Sequence, residues 1–351
     1  MKVGIIGYAG CGKTTVFNAL TGQSVEVGGY SARGGINLGT IKVPDERVDR
    51  LSEIFRPGKI VYAEILFADL VAPSPEVSGQ AFEPESLGQM RQMDALTHVV
   101  RNFDNPAAIQ DIDPLRDLRN LEAELALADL AILEKRIERL EKEGGKAREL
   151  PLLRRLVAHL ESERPLRVME SLGNAERTMI KGFSFLSLKP LLVVLNRPEE
   201  RIGRPPPDDL AAAAAASGAP VFTLCGKVEA ELNELEPEDR AAFLADLGLA
   251  EPARLRFIRA AYDALDLISF LTVGVDEVRA WSVQRDTAAQ RAAGVIHSDM
   301  ERGFIRSEVI RFEDLSKLGS EARCREAGKM RVEGKEYRVQ DGDVVHVRFN
   351  V

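Results

Sequence analysis

Cysteine is scarce in this chain: Cys11, Cys225 and Cys324 are three in number and unclustered. That pattern argues against a disulfide frame or a zinc site and for reduced thiols. The four histidines, His98, His159, His297 and His346, show no metal-ligand spacing either. No apolar run approaches the roughly 18 residues of a membrane span. The first residues read at once as a strand, which leaves no room for a signal peptide and predicts a cytoplasmic protein with no membrane partner. Excess positive charge is also lacking: a net charge of -8 disfavours a chain that is basic throughout, so no specific DNA partner is expected. A local basic face is still able to meet RNA.

What is present is the composition of an ordinary globular protein, 45% hydrophobic and 29% charged over 351 residues, enough for two or three domains. The organising stretch is residues 2–21, KVGIIGYAGCGKTTVFNALT. An apolar run around Val3 and Ile6 predicts a buried strand. Gly7 to Thr14 then fits G-x-x-x-x-G-K-[ST], and Val16, Phe17 and Leu20 begin a helical pattern. The chemistry needs this order. A glycine-rich turn points backbone N–H groups inward, and the following helix offers its positive end to a phosphate chain. Gly10, Cys11, Gly12, Lys13, Thr14 and Thr15 are the candidate phosphate binders. Lys13 is the candidate catalytic cation on the β- and γ-phosphates, and the Thr14 hydroxyl the candidate Mg²⁺ ligand.

Residues 24–40 are glycine-rich with little periodicity, a loop of the kind that switches with nucleotide. Ser31 and Thr40 are the hydroxyls available there to complete a Mg²⁺ shell, and neither is well placed. A helix follows Pro44 (Val48, Leu51, Ile54), then one strand from Ile60 to Ala68 that ends at Asp69. A carboxylate at that strand end is where a P-loop protein holds Mg²⁺, so Asp69 is the second metal candidate. As a lone residue it reads more readily as a strand-end turn; the P-loop before it tips the reading to the ligand. Ala72 takes the place of the glycine in D-x-x-G; its N–H is kept as a γ-phosphate donor, but its backbone freedom is reduced and Pro73 restricts it further.

Residues 73–90 read as a loop and Thr97 to Phe103 as a strand, with His98 packed within it. Asp113 and Pro114 open a helix carrying Ala126, Leu130, Leu133, Ile137 and Leu140, and Gly144-Gly145 ends it. A second helix (Leu153, Leu156, Val157, Leu160) should fold back on it as a hairpin with solvated charge outside. Strands return at Pro190 to Leu195 and Val221 to Leu224. Their carboxyl ends carry Asn196-Arg197-Pro198-Glu199 and Cys225-Gly226-Lys227, a fit for the base-binding side of a nucleotide fold. Guanine sites carry N-K-x-D at this point; Arg197 and Glu199 replace the lysine and the aspartate, so guanine selectivity is unsupported. An alanine-rich helix covers 208–219, and an amphipathic helix from Leu255 to Leu267 closes the first domain. Beyond it, strand-like pieces at Val278 to Val283, Phe304 to Ile310, Tyr337 to Val339 and Val344 to Val351 predict a small α+β domain. Its arginines, Arg302, Arg306, Arg311, Arg331, Arg338 and Arg348, form either an RNA-facing patch or a solvated face.

With these landmarks in place, the chain resembles the YchF or Obg-like ATPase family over nearly its whole length. The likeness rests on VPDERVDRL, THVVRNF, LEAELALADLAILEKRIERLEK, KVEAELNEL and, above all, the C-terminal runs EVRAWSVQRDTAAQRAAGVIHSDMERGFIRSEVI and EAGKMRVEGKEYRVQDGDVVHVRFNV. The resemblance implies an α/β fold. A P-loop G domain (1–112 and 186–267) would carry an inserted α-helical hairpin (113–185), followed by a ubiquitin-like β-grasp TGS domain (268–351). It also implies a cytoplasmic Mg-ATP-binding protein, often able to use GTP, that meets the ribosome or ribosomal RNA through its TGS and helical domains in translation or stress control. The family's N-x-x-E motif for the base matches Asn196 and Glu199. Cys225, Gly226 and Lys227 complete the predicted nucleotide contacts. Three departures stand out: Gly10 replaces the family's P-loop asparagine, the first switch threonine is missing, and Ala72-Pro73 replaces the D-x-x-G glycine. Together they predict kept binding with slow hydrolysis, or a nucleotide-loaded ribosome adaptor that does not turn over; a guanine-specific GTPase is the third reading.

Overall fold

In the computed structural model, residues 1–25, 36–70, 82–106, 111–144 and 148–350 are described. Ser31, Ala72 and residues 26–35 of the predicted glycine-rich switch lie outside them. The chain gathers into two compact units, one made of Lys2–Gly39 with Leu66–Ala260, the other of Met1, Thr40–Ile65 and Ala261–Val351.

In chain order the strands begin with β1 (Lys2–Ile6), β2 (Asn37–Val43), β3 (Lys59–Val61), β4 (Ala63–Asp69), β5 (Ala95–Arg101), β6 (Leu191–Asn196) and β7 (Val221–Leu224). They continue with β8 (Leu267–Thr272), β9 (Glu277–Gln284), β10 (Phe304–Arg311), β11 (Arg331–Glu333) and β12 (Asp343–Phe349). The first sheet runs β2-β4-β1-β5-β6-β7. Its strands β4, β1, β5, β6 and β7 pair in parallel, and both β5 and β6 are buried along their whole length. Continuous apolar runs such as LLVVL are what a strand covered on both faces requires. The register sets Ile5 opposite Asp69, Arg101 opposite Asn196, and Asn196 opposite Leu224, so these carboxyl ends line one edge of the sheet. Ligands of parallel sheets bind at that edge.

The helix Pro114–Lys142 begins as its sequence demands: the Asp113 carboxylate accepts from the Arg116 N–H at 2.9 Å and Pro114 occupies the first turn. Its first half packs Leu118, Leu121 and Leu125 into the sheet's core with Ile6, Leu96 and Val193. Its second half joins a separate core, Leu133 and Leu140 against Leu150, Leu153, Leu156 and Leu160 of the helix Leu150–Glu161. The hairpin is therefore anchored by one long helix shared between two cores. Asp129, fully buried on that helix, accepts from the Leu186 and Ser187 N–H groups at 2.9 and 2.7 Å and from Arg91 at 3.0 Å.

The other unit holds the sheet β11-β10-β12-β8-β9-β3. The β8–β9 hairpin is antiparallel, β12 meets β8 in parallel, and helix Ala289–Ile296 buries Ala289, Ala292 and Ala293 against Phe270, Val283 and Val345. Among its arginines, Arg348 binds Glu308 at 3.1 Å, Arg331 binds Glu333 at 3.2 Å, and Arg338 donates to the Asp286 carbonyl at 2.7 Å.

Several expectations need correction. The run read as one strand from Ile60 to Ala68 is two: β3 pairs with β9 in the second sheet, and β4 belongs to the first. Part of the predicted 73–90 loop is the helix Pro84–Arg91. The amphipathic helix ends at Ala264, and Leu267 opens β8, because Asp266 adopts a left-handed backbone (φ 48°) between them. Tyr337 to Val339 is not a strand; its one ladder contact is a bridge between Ala288 and Arg338. β5 stops at Arg101, so Asn102 and Phe103 belong to the loop beyond it. Thr40 lies within β2, exposed. No helix among the described residues is long and apolar enough to cross a membrane.

Candidate functional site

β1 delivers the chain into the glycine-rich turn, and two positions there admit no side chain. A Cβ on Gly7 would stand 2.6 Å from the Val99 carbonyl oxygen. Gly12, immediately before the helix Lys13–Thr21, holds a left-handed backbone (φ 81°), and its Cβ would stand 2.4 Å from Asn196 Nδ2. Only glycine meets both demands. The turn is braced from three further directions. Cys11 N–H donates to the Tyr8 carbonyl at 3.3 Å. Asn105 Nδ2 donates to the Gly10 carbonyl at 3.0 Å. Asn196 Nδ2 donates to the Cys11 carbonyl at 3.1 Å, and Asn196 Oδ1 accepts from the Gly226 N–H at 3.0 Å.

Helix Lys13–Thr21 and β4 bring the predicted cation, hydroxyl and carboxylate together. Lys13 Nζ lies 3.8 Å from Asp69 Oδ1, and Thr14 Oγ1 donates to Asp69 Oδ2 at 3.0 Å. Asp69 is 6% exposed, and its Oδ1 is buried without a hydrogen bond among the described residues. An orphaned carboxylate oxygen beside a threonine hydroxyl is the hard-oxygen donor set that Mg²⁺ prefers. Thr14 and Asp69 are the residues that would hold the ion, which would neutralise phosphate charge when bound.

A cleft of about 790 Å³ opens from Gly12 and Thr15 past Asn102, Phe103 and Asp104 to Asn196, Glu199, Cys225 and Lys227. Its size falls in the range of small-molecule sites. Within it the predicted base residues divide by role. Asn196 is buried and both ends of its amide are committed to the protein, so it ties the phosphate turn to the loop after β7. Glu199 is exposed, and its carboxylate has no hydrogen-bond partner among the described residues. Arg197 also lines the cleft, but its guanidinium is committed to the protein: it donates to the carbonyls of Arg201 at 2.9 Å and Arg204 at 2.5 Å. It staples the following loop. Cys225 precedes the helix Gly226–Glu234, and Lys227 is exposed with Glu231 at 3.8 Å.

The thiols are not nucleophiles. Burial pushes Cys11 up to about 11 and raises Cys225, so both stay protonated near neutrality. His98 is fully buried on β5, neither ring nitrogen has a partner among the described residues, and burial pushes it down to about 3. It is a neutral packed ring.

Sequence reasoning missed Asn102, Phe103 and Asn105, because the strand was extended through Phe103. The signal was available: a polar N-F-D-N run after the strand adjoining β1 lies at the carboxyl edge where ligands bind. It also missed the contact from Tyr8 Oη to Glu124 Oε1 at 3.0 Å, which joins residues 116 positions apart.

Comparison with known proteins places the chain. Residues 2–135 match a family model described as 50S ribosome-binding GTPase. Residues 267–350 match the YchF-GTPase C-terminal model, described as a protein of unknown function (DUF933). The Ribosome-binding ATPase YchF of Haemophilus influenzae is 41% identical over 100% of this chain and 99% of its own. That of Bacillus subtilis is 39% identical over 100% of both. The solved structure of the Schizosaccharomyces pombe YchF GTPase is 29% identical, covers 99% of this chain and 97% of that one, and superposes with a TM-score of 0.80. On likeness that spans both chains end to end, in sequence and in fold, this chain belongs to the YchF family.

Proposed function

We propose that this protein binds Mg-ATP, with GTP as a weaker alternative, hydrolyses it slowly, and acts on the ribosome. The observation that carries the reading is the convergence of Asp69 with Lys13 and Thr14 on the helix that follows Gly12, which with Thr15 and Glu199 lines the cleft, and the hold of Asn196 on the turn before that helix. The names of its relatives, ribosome-binding ATPases, support the nucleotide and the partner.

In this reading the turn's amides and Lys13 take the phosphates, and Thr14 and Asp69 take Mg²⁺ directly or through water. Catalysis is positioning and charge stabilisation. Glu199, as an acceptor, suits the exocyclic amine of adenine, and Asn196 acts by shaping the turn. Cys225, Gly226 and Lys227 frame the base from the loop after β7. No glutamine or histidine directly follows Ala72 in the sequence to orient an attacking water, so intrinsic turnover is slow.

The test is single-turnover phosphate release from pre-bound ATP, with and without ribosomes, beside co-sedimentation. Slow release that ribosomes accelerate supports the reading. A protein that co-sediments while keeping its ATP intact is the non-hydrolysing adaptor instead, and one that neither binds ATP nor sediments contradicts both.

A further inference from the structure

Tyr8, the second residue of the phosphate turn, is held in a socket. Its ring lies against Phe82 with centroids 6.5 Å apart and meets His98 edge-on at 6.2 Å and 79°. Its hydroxyl donates to Glu124 Oε1 at 3.0 Å, on the helix Pro114–Lys142. The other oxygen, Oε2, is buried with no partner among the described residues. A carboxylate kept under such conditions is unfavourable for stability alone.

We propose that Glu124 is a positioning residue for the phosphate turn, acting through Tyr8, and that proton binding at this pair is linked to nucleotide binding. The proposal rests on the nucleotide reading above. Burial pushes Glu124 up to about 7, and the Tyr8 bond, which favours the charged form, only partly opposes it. Among the described residues, the groups around the pair do not neutralise it. His98, from β5, stays uncharged. Asp117, on the same helix, is itself raised by burial, adds negative potential at Tyr8, and is the group that Arg101 at the end of β5 acts upon.

The sign follows from charge. Ionised Glu124 places a poorly solvated negative charge behind a turn that must accept phosphates, whereas the protonated acid does not. The acid keeps an acceptor oxygen for Tyr8, so the turn stays braced in both forms. Nucleotide binding therefore raises the proton affinity of Glu124, and by reciprocity nucleotide binds more tightly as pH falls through about 7.

The experiment is an equilibrium titration of the full-length protein with a fluorescent, non-hydrolysable ATP analogue in Mg²⁺ from pH 5.5 to 8.5. Phosphates of the analogue titrate too, so Glu124→Gln, which keeps an acceptor and cannot ionise, is the reference. Between pH 6 and 8 the wild-type Kd rises roughly threefold to tenfold more than that of Glu124→Gln. Tyr8→Phe moves the wild-type transition to higher pH, because the charged form loses its donor. Glu124→Leu weakens binding at every pH, and Glu124→Gln restores it. Parallel wild-type and Glu124→Gln profiles with tight binding would overturn the proposal alone, as would Glu124→Leu binding as tightly as Glu124→Gln. Absence of binding by the wild type at any pH would overturn the nucleotide reading as well.

Discussion

Asn196 and Glu199 are three positions apart in one motif, yet the structure gives them different work. The amide of Asn196 closes two contacts within the protein, while the carboxylate of Glu199 is exposed in the cleft. Asn196→Ala leaves the Cys11 carbonyl and the Gly226 N–H without a partner, so it should weaken adenine and guanine analogues alike and lower stability by about 1–3 kcal/mol. Glu199→Gln should leave stability unchanged and shift the ratio of the two affinities. Paired titrations and denaturant unfolding of both variants check this; a selectivity change in Asn196→Ala without loss of stability would refute the division. His98 makes a separate prediction. Its pKa in the fold is about 3, below the ordinary 6.5, so the unfolded chain takes up a proton that the fold refuses. Stability from this group is complete above about 6.5 and is lost as pH falls toward 3. His98→Leu should flatten that acid-side slope in urea unfolding between pH 7 and 4; an unchanged slope contradicts it.

The helix Pro114–Lys142 shows how far local signals reach. Its start was legible, because Asp113 and Pro114 are cap chemistry that acts over three residues. Its buried Asp129 was not, because the donors Leu186 and Ser187 are 57 and 58 positions away. Asp113→Ala should cost about 1 kcal/mol. Asp129→Ala, which strands two buried N–H groups, should cost about 2–4 kcal/mol. Denaturant unfolding separates them, and equal costs would refute the ranking. The phosphate turn was legible for the same reason as the cap, since strand, glycines and helix are contiguous. The break between β3 and β4 was hidden, because what separates them is pairing with β9, more than 200 positions further on. Asp266 ended a helix without the glycine that usually marks such a stop. Tyr337 to Val339 had strand periodicity but no neighbouring strand to continue the ladder.

At the level of the whole chain, the two sheets and the helical insertion were readable as separate changes of pattern, from strand and helix alternation to long amphipathic helices to short strands. Which segments belong to which unit was not, since Thr40–Ile65 joins Ala261–Val351 across an intervening stretch of the chain. The proposed activity depends on one unit supplying phosphate, metal and base contacts at a single sheet edge. A paired equilibrium titration with non-hydrolysable ATP and GTP analogues in Mg²⁺, on the wild type and on Lys13→Ala, examines that arrangement as a whole. The expected result is a clear preference for the adenine analogue and loss of tight binding to both in Lys13→Ala. Unchanged affinity in Lys13→Ala, or tighter binding of the guanine analogue by the wild type, would contradict it.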